Sequence, residues 1–290
     1  MRGGRRQQAI TDARSGDSGD ASLARMTRIA CAQIAPTVGN LQANLELSAA
    51  AIAESVAAGA EIVVLPELAS SGYMFADADE ARSLALTAGD PALDARRAVA
   101  DDAVVIGGYC ELGDDGLLYN SALVVEAGGV IASYRKTHLW DREKLIFTPG
   151  GELPPILTTR HGVIAVMVCY DLEFGELTRR ATLDGAELIA APVNWPFCPR
   201  PDGERPGEVI TAMSTARTNK VAIAACDRAG VERGQEWTEG TAIVDPYGWV
   251  AATAGPGSGL AIADIDLSIT HDKTLTEHVH LLTDRRVDLY

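Results

Sequence analysis

Aromatic residues are scarce in this chain, at 5% of 290 residues, and 25 lysines and arginines stand against 40 aspartates and glutamates. A formal net charge of −15 makes nucleic acid and anionic membrane surfaces poor partners. Cysteines are few and odd in number: Cys31, Cys110, Cys169, Cys198 and Cys226. They are widely spaced, and without a CxxC pair neither a zinc knuckle nor a disulfide framework is indicated. Four of them read as small buried hydrophobes of a chain kept in a reducing cytoplasm. No apolar run reaches the roughly 18 residues of a membrane-spanning helix. The arginines near the N-terminus have no apolar stretch behind them, so no secretory leader is expected. A GxSxG elbow is missing, which removes the serine-hydrolase option. Gly255, Gly257 and Gly259 lack the GxGxxG spacing and read as a turn, and no Walker-type lysine loop occurs.

What is present is ordinary globular material. Hydrophobic residues make up 47% of the chain and the mean hydropathy is +0.05. A chain of this size hides about three quarters of its unfolded surface. Residues 1–25 differ from the rest: five arginines against three aspartates, many Gly and Ser, and few large apolar side chains. They read as a disordered extension, with one folded domain over 26–290.

From Met26 strands alternate with helices. MTRIACAQIAP reads as a strand, followed by a helix with Asn40 as N-cap, Leu41, Leu45, Ala49, Ile52 and Val56 on one face, and Gly59 at its C-cap. EIVVLPE is a buried strand, and two helical stretches are expected over about 78–101. AVVIGGYC, SALVVEA and VIASYRK are strands. GVIAVMVC is apolar enough to be covered on both faces. A helix is expected from near Asp171 to Gly185, with Glu173 and Glu176 early and Arg179 and Arg180 late, as the helix dipole favours. ELIAAPVNW is strand plus loop, Pro206 to Lys220 helical, and VAIAACD, TAIVDP, WVAATA and LAIADIDL complete the strands. The pattern is α/β, with hairpins late.

Three strand ends carry chemistry. GVIAVMVC delivers Cys169 to a strand-to-helix elbow, where a helix N-terminus is expected to lower the thiol pKa and hold an oxyanion. A buried apolar cysteine ending a strand is the competing description. Glu67 follows an apolar strand and Pro66. An unpaired carboxylate there is costly to bury, although a surface Glu opening a loop fits the same letters. Lys136 lies just beyond a third strand, where a solvated basic pair with Arg135 is the alternative. Taken together, a thiol, a carboxylate that can accept its proton and an ammonium that can face an oxyanion form a working set without histidine. His271, His278 and His280 fall in a polar helix or tail and read as solvated rather than as a metal site.

PE-x-x-x-x-GY around Glu67, YRKTHL around Lys136 and CYD-x-x-F-x-E around Cys169, in that order, resemble the nitrilase (carbon–nitrogen hydrolase) superfamily. YNSALV at Tyr119, TAIVDPYG at Thr241 and the closing DRRVDLY extend the resemblance from about Met26 to Tyr290. It implies an αββα sandwich that pairs into an αββα–αββα dimer or larger even oligomer. It implies Glu67 as general base, Lys136 as oxyanion-stabilising cation and Cys169 as nucleophile, with the Tyr170 N–H completing the oxyanion site. Glu143 is the best match to a second glutamate in the loop after the lysine; a solvent-facing loop carboxylate is its alternative. Asn194 and Trp195 would line the pocket, Trp195 otherwise being a core aromatic, and Tyr73 and Phe75 are further pocket candidates. Gly175 departs from the proline common in relatives, which touches helix geometry more than chemistry.

The resemblance further implies hydrolysis of a small aliphatic amide through a thioester, with no metal or organic cofactor. Tyr170–Asp171 after the cysteine, where true nitrilases usually carry Trp-Glu, tilts the expectation toward amides or N-carbamoyl compounds over nitriles. A catalytically silent scaffold and an acyltransferase of the same fold are the rivals from other classes.

Overall fold

The computed structural model describes residues 26–94, 100–126 and 128–289. The expected extension over 1–25 lies outside them, as does part of the stretch read as helical over 78–101. The first half runs β1 (Met26–Gln33), α1 (Leu41–Ala57), β2 (Ile62–Val64), α2 (Ala78–Ser83), β3 (Val104–Leu112), β4 (Leu118–Glu126) and β5 (Gly129–Arg135). The second runs β6 (Ile156–Thr159), β7 (Gly162–Val166), α3 (Gly175–Leu183), β8 (Leu188–Pro192), α4 (Gly207–Asn219), β9 (Ala222–Cys226), β10 (Val231–Glu232), β11 (Gln235–Glu236), β12 (Ala242–Val244), β13 (Val250–Thr253) and β14 (Gly259–Asp266). Of 78–101, the described part holds the short α2 and a single 3-10 turn at Pro91–Leu93.

Two six-stranded sheets form, ordered β14-β1-β2-β3-β4-β5 and β13-β12-β9-β8-β7-β6. In each, three central strands are parallel, β1–β2–β3 and β7–β8–β9, and the outer strands are antiparallel. The period of two in a strand explains the layering. Ile29 and Cys31 of β1 join Ile62, Val64, Val104 and Ile106 in the core shared with Ile164, Val166, Leu188 and Ala190 of the other sheet. The alternate residues Ala30, Ala32, Val63 and Val105 pack against Leu45 and Ile52 of α1. Leu177 and Ala181 of α3, with Val209, Ala212 and Ala216 of α4, cover the second sheet. The order is therefore helix, sheet, sheet, helix. Each fully buried Val, Leu or Ile contributes on the order of 1.5–3 kcal/mol.

Two helical details differ from the sequence pattern. The buried stripe of α1 runs through Asn44, Leu45, Ser48, Ala51, Ile52 and Ser55, rotated toward small polar residues. Asn44 is drawn inward because its amide donates to the Thr37 and Ser70 carbonyls. After Cys169 the chain makes a 3-10 turn, Cys169–Glu173, and the α-helix begins only at Gly175. His278 and His280 belong to the region of a short hairpin, β15 (Thr274–Thr276) with β16 (Val279–His280), rather than to a helix, and His271 contacts Glu187. Among the described residues no helix is long and apolar enough to cross a membrane.

Candidate active site

Glu67, Lys136 and Cys169 each follow a strand of the inner layers: β2, β5 and β7. The Glu67 backbone is held between the sheets. Its N–H donates to Val193 O at 3.4 Å, and the Pro66 carbonyl accepts from Gly108 N–H at 3.0 Å. Gly108 is required by that close approach. A Cβ there would stand 2.3 Å from Leu68 N and 2.6 Å from Glu67 Cα.

The Lys136 ammonium is wholly buried and donates to Glu67 Oε1 at 2.7 Å and to Glu143 Oε1 at 2.8 Å. Asn120 of β4 donates to Glu67 Oε1 as well, at 2.7 Å. Glu143 lies in a 3-10 turn, Asp141–Leu145, and is buried rather than facing solvent. Its Oε1 also accepts the Tyr73 hydroxyl at 2.6 Å, and its Oε2 accepts the Trp140 backbone N–H at 3.1 Å. An ammonium has three N–H donors. Two are used by carboxylates, which leaves the third for a ligand. Glu67 Oε2 is buried with no partner among the described residues, so one lone-pair face of the carboxylate is open to accept a proton.

Cys169 sits at φ +48°, a left-handed backbone uncommon for a residue with a Cβ. Its thiol points to the Asn194 carbonyl, with Sγ 3.8 Å from the oxygen. The Asn194 side-chain amide donates to Glu67 O at 2.9 Å, so Asn194 joins the surroundings of Cys169 to those of Glu67. Cys169 is 7% exposed, against 0% for Glu67 and Lys136. The Tyr170 N–H lies in the first turn of the 3-10 helix without a partner among the described residues.

The charges act on one another. Burial pushes the Glu67 carboxyl up to about 7; the Glu143 charge adds to this, and Lys136 opposes it. Burial works against the Lys136 charge, but the Glu143 and Glu67 carboxylates outweigh it and hold the ammonium well above an ordinary lysine. Burial, then the Glu67 charge, raise the Cys169 thiol well above its usual range, with Lys136 pulling the other way. This corrects the expectation of a thiol depressed by a helix N-terminus. The α-helix starts too far along the chain to dominate, and desolvation wins. At rest the sulfur is a neutral thiol within the field of the Glu67, Lys136 and Glu143 charges.

The pocket candidates separate. Tyr73 is in the site through Glu143, and burial keeps its phenol protonated, hence a donor. Phe75 lies in an apolar cluster with Leu68, Leu84, Leu118 and Phe147, its ring edge-on to Phe147; its place is packing beneath the loop. Trp195 is buried, its backbone N–H donates to Asp227 Oδ1 at 3.0 Å, and a Cβ on Gly240 would stand 3.1 Å from its ring. Asn120, Asp171 and the buried Arg228–Glu232 pair did not stand out in the sequence. Glu232 accepts the Tyr73 and Met74 N–H groups, both at 2.9 Å, and Arg228 at 2.8 Å. Asn120 carries a faint signal, as an amide beside Ser121 in a buried strand rich in apolar residues. No cluster of three or more His, Cys, Asp or Glu suited to a metal ion occurs among the described residues.

With this geometry in view, similarity to known proteins is informative. A family model described as carbon-nitrogen hydrolase matches residues 28–272. A nitrilase of Pyrococcus abyssi is 32% identical over 91% of this chain and 99% of its own length. An (R)-stereoselective amidase of a Pseudomonas species is 30% identical over 90% and 92%. The crystal structure of an amidase from Nesterenkonia superposes with a TM-score of 0.75 at 27% identity, over 94% of this chain and 98% of that one. Variants of that amidase have been solved with acrylamide and butyramide, and with an acetamide moiety bound covalently to the active-site cysteine.

Proposed function

Since the chain belongs to the carbon–nitrogen hydrolase family and is a cysteine-dependent hydrolase of the nitrilase superfamily, we propose that it converts a small aliphatic amide to a carboxylate and ammonia, with Glu67, Lys136 and Cys169 as the reacting set. The observation that carries this reading is the buried contact of Lys136 with Glu67 beside a neutral thiol, with one carboxylate oxygen and one ammonium N–H still open. The amide complexes of the similar Nesterenkonia enzyme support the substrate class.

The steps follow from the geometry. Glu67 takes the Cys169 proton as sulfur bonds to the carbonyl carbon, and the oxyanion is met by the third Lys136 N–H and the Tyr170 N–H. The C–N bond breaks as protonated Glu67 returns its proton to the leaving nitrogen, giving ammonia and a thioester. Glu67 then takes a proton from water while the oxygen attacks the thioester. The C–S bond breaks, sulfur regains its proton from Glu67, and the acid leaves. Glu143 orients Lys136 through Oε1 and is itself held by Tyr73 and the Trp140 N–H. Asn194, whose carbonyl lies 3.8 Å from the sulfur, borders the reacting set.

Ammonia release from a panel of short amides, N-carbamoyl amines and nitriles tests the reading. Short amides are expected to be turned over best, and Cys169→Ala to lose at least about 10³-fold in kcat. Unchanged turnover in that variant refutes it, and preference for nitriles or carbamoyl compounds moves the substrate class. The paired αββα–αββα dimer belongs to the same proposal, and light scattering on the purified chain decides it.

A further inference from the structure

We propose that Asp171 is a positioning residue for the reaction, its carboxylate fixing the strand exit that carries Lys136 against the one that carries Cys169. The proposal rests on the roles of Lys136 and Cys169 given above. Asp171 is fully buried, and its two oxygens collect donors from both exits. Oδ2 accepts the Val168 N–H at 3.1 Å and the Tyr134 hydroxyl at 2.9 Å. Oδ1 accepts the His138 N–H at 3.0 Å and lies 2.8 Å from the His138 ring Nδ1. The Thr137 hydroxyl lies 3.3 Å from Oδ1 and 2.5 Å from the Tyr134 hydroxyl. Tyr134, Thr137 and His138 bracket Lys136 in the chain, and Val168 immediately precedes Cys169. One carboxylate therefore spans the gap between the nucleophile and the cation that must meet its oxyanion.

The same residue closes the elbow itself. The Asp171 N–H donates to the Val168 carbonyl at 3.1 Å while its side chain accepts the Val168 N–H. These reciprocal bonds enclose Cys169 and Tyr170, and hold Cys169 in its left-handed backbone. Uncommon backbone of this kind persists only where the surroundings over-determine it. Packing alone would be served as well by an apolar side chain of similar volume. A buried carboxylate with donors from two strand exits instead specifies one relative placement, and a misplacement of about 1 Å at a reacting group is enough to cost about 10²-fold in rate.

Asp171→Asn keeps the shape but must turn an NH₂ group toward N–H donors at one of its two ends. In the full chain it is expected to lower kcat about 10²-fold with KM changed by less than about threefold. Displacement of the Lys136 charge also weakens its pull on Glu67, so the acidic limb of kcat/KM is expected to move up by about half a pH unit. A purely structural part would lower thermal stability and leave both readouts in place. Tyr134→Phe combined with Thr137→Val strips hydroxyls from the Lys136 side and leaves the Val168–Asp171 turn intact; a fall of about tenfold in kcat is expected. Circular dichroism identifies the folded variants. Parental kcat and an unmoved acidic limb in folded Asp171→Asn overturn the proposal, and if that variant does not fold, parental kcat in the double variant does so. Inactive Cys169→Ala beside a fully active Asp171 variant sinks this proposal alone, whereas active Cys169→Ala sinks the catalytic reading beneath it.

Discussion

Replacing Glu143 with Gln removes one negative charge from the centre while leaving an oxygen for Lys136 to bond. Glu67 Oε1 and Glu143 Oε1 lie 2.7 and 2.8 Å from the same ammonium nitrogen, so they are at most 5.5 Å apart, the two bonds end to end. Two like charges at that separation repel by about 3 kcal/mol at an effective dielectric of about 20, equivalent to roughly two pH units. The Glu143 charge is one of the causes that lift Glu67 to about 7. Its removal should therefore let Glu67 ionise at lower pH, by about one to two units. In the proposed mechanism Glu67 must be ionised to take the thiol proton, so kcat/KM of the parent should rise through about pH 7, and that limb should move down in Glu143→Gln. The plateau rate should fall as well, since Lys136 loses one of its two anchors. The assay is ammonia release from a short amide at subsaturating concentration, from pH 5 to 9. An acidic limb that stays in place, or moves up, refutes the electrostatic reasoning even if the variant is slow.

Other consequences are equally open to measurement. Gly108→Ala places a methyl 2.3 Å from Leu68 N; it should displace the Glu67 backbone and cost about 1–3 kcal/mol of stability with a disproportionate loss of kcat, and a parental unfolding midpoint would count against the close approach. Glu232→Ala leaves the buried Arg228 guanidinium unpaired and strips the Tyr73 and Met74 N–H groups of their acceptor; denaturant unfolding should show a loss of about 3–5 kcal/mol, and a change below about 1 kcal/mol would be inconsistent with that burial. Burial lifts Asp227 from 3.8 to about 7 against the N–H groups of Gly240, Trp195 and Arg228. The folded chain thus holds a proton there that the unfolded chain has released, so this group's contribution falls as pH rises from 3.8 to about 7 and is flat above. Comparing parent and Asp227→Asn across that window, the gap in unfolding free energy should change by at most about 4 kcal/mol, with the parent relatively more stable at acid pH; a gap of constant size would refute the shift.

The residues legible in the sequence share one property: a chemically reactive group stands where a strand stops. Glu67 and Cys169 each follow an apolar run at its carboxyl end and Lys136 follows the end of β5, and strand periodicity places such a residue at a sheet edge without reference to anything distant. The layered fold was readable for the same reason, since runs such as IVV and LIAAP are buried on both faces and must lie between layers. Residues whose importance lies in a long-range partner left no such mark. Asp171 looked like the start of a helix, because an acid after a strand is an ordinary helix opening. Its part became visible only when Tyr134 and His138, more than 30 positions away, were found on its two oxygens. Arg228 and Glu232 carry no distinguishing mark in the sequence, whereas the fold hides both and uses them to hold the turn that carries Tyr73. The thiol inverted for a related reason: its proton affinity follows desolvation, a property of the whole enclosure that neighbouring letters do not encode. Strand ends thus announce the reacting groups, while the buried polar residues that set their distances become readable only once the two sheets are stacked.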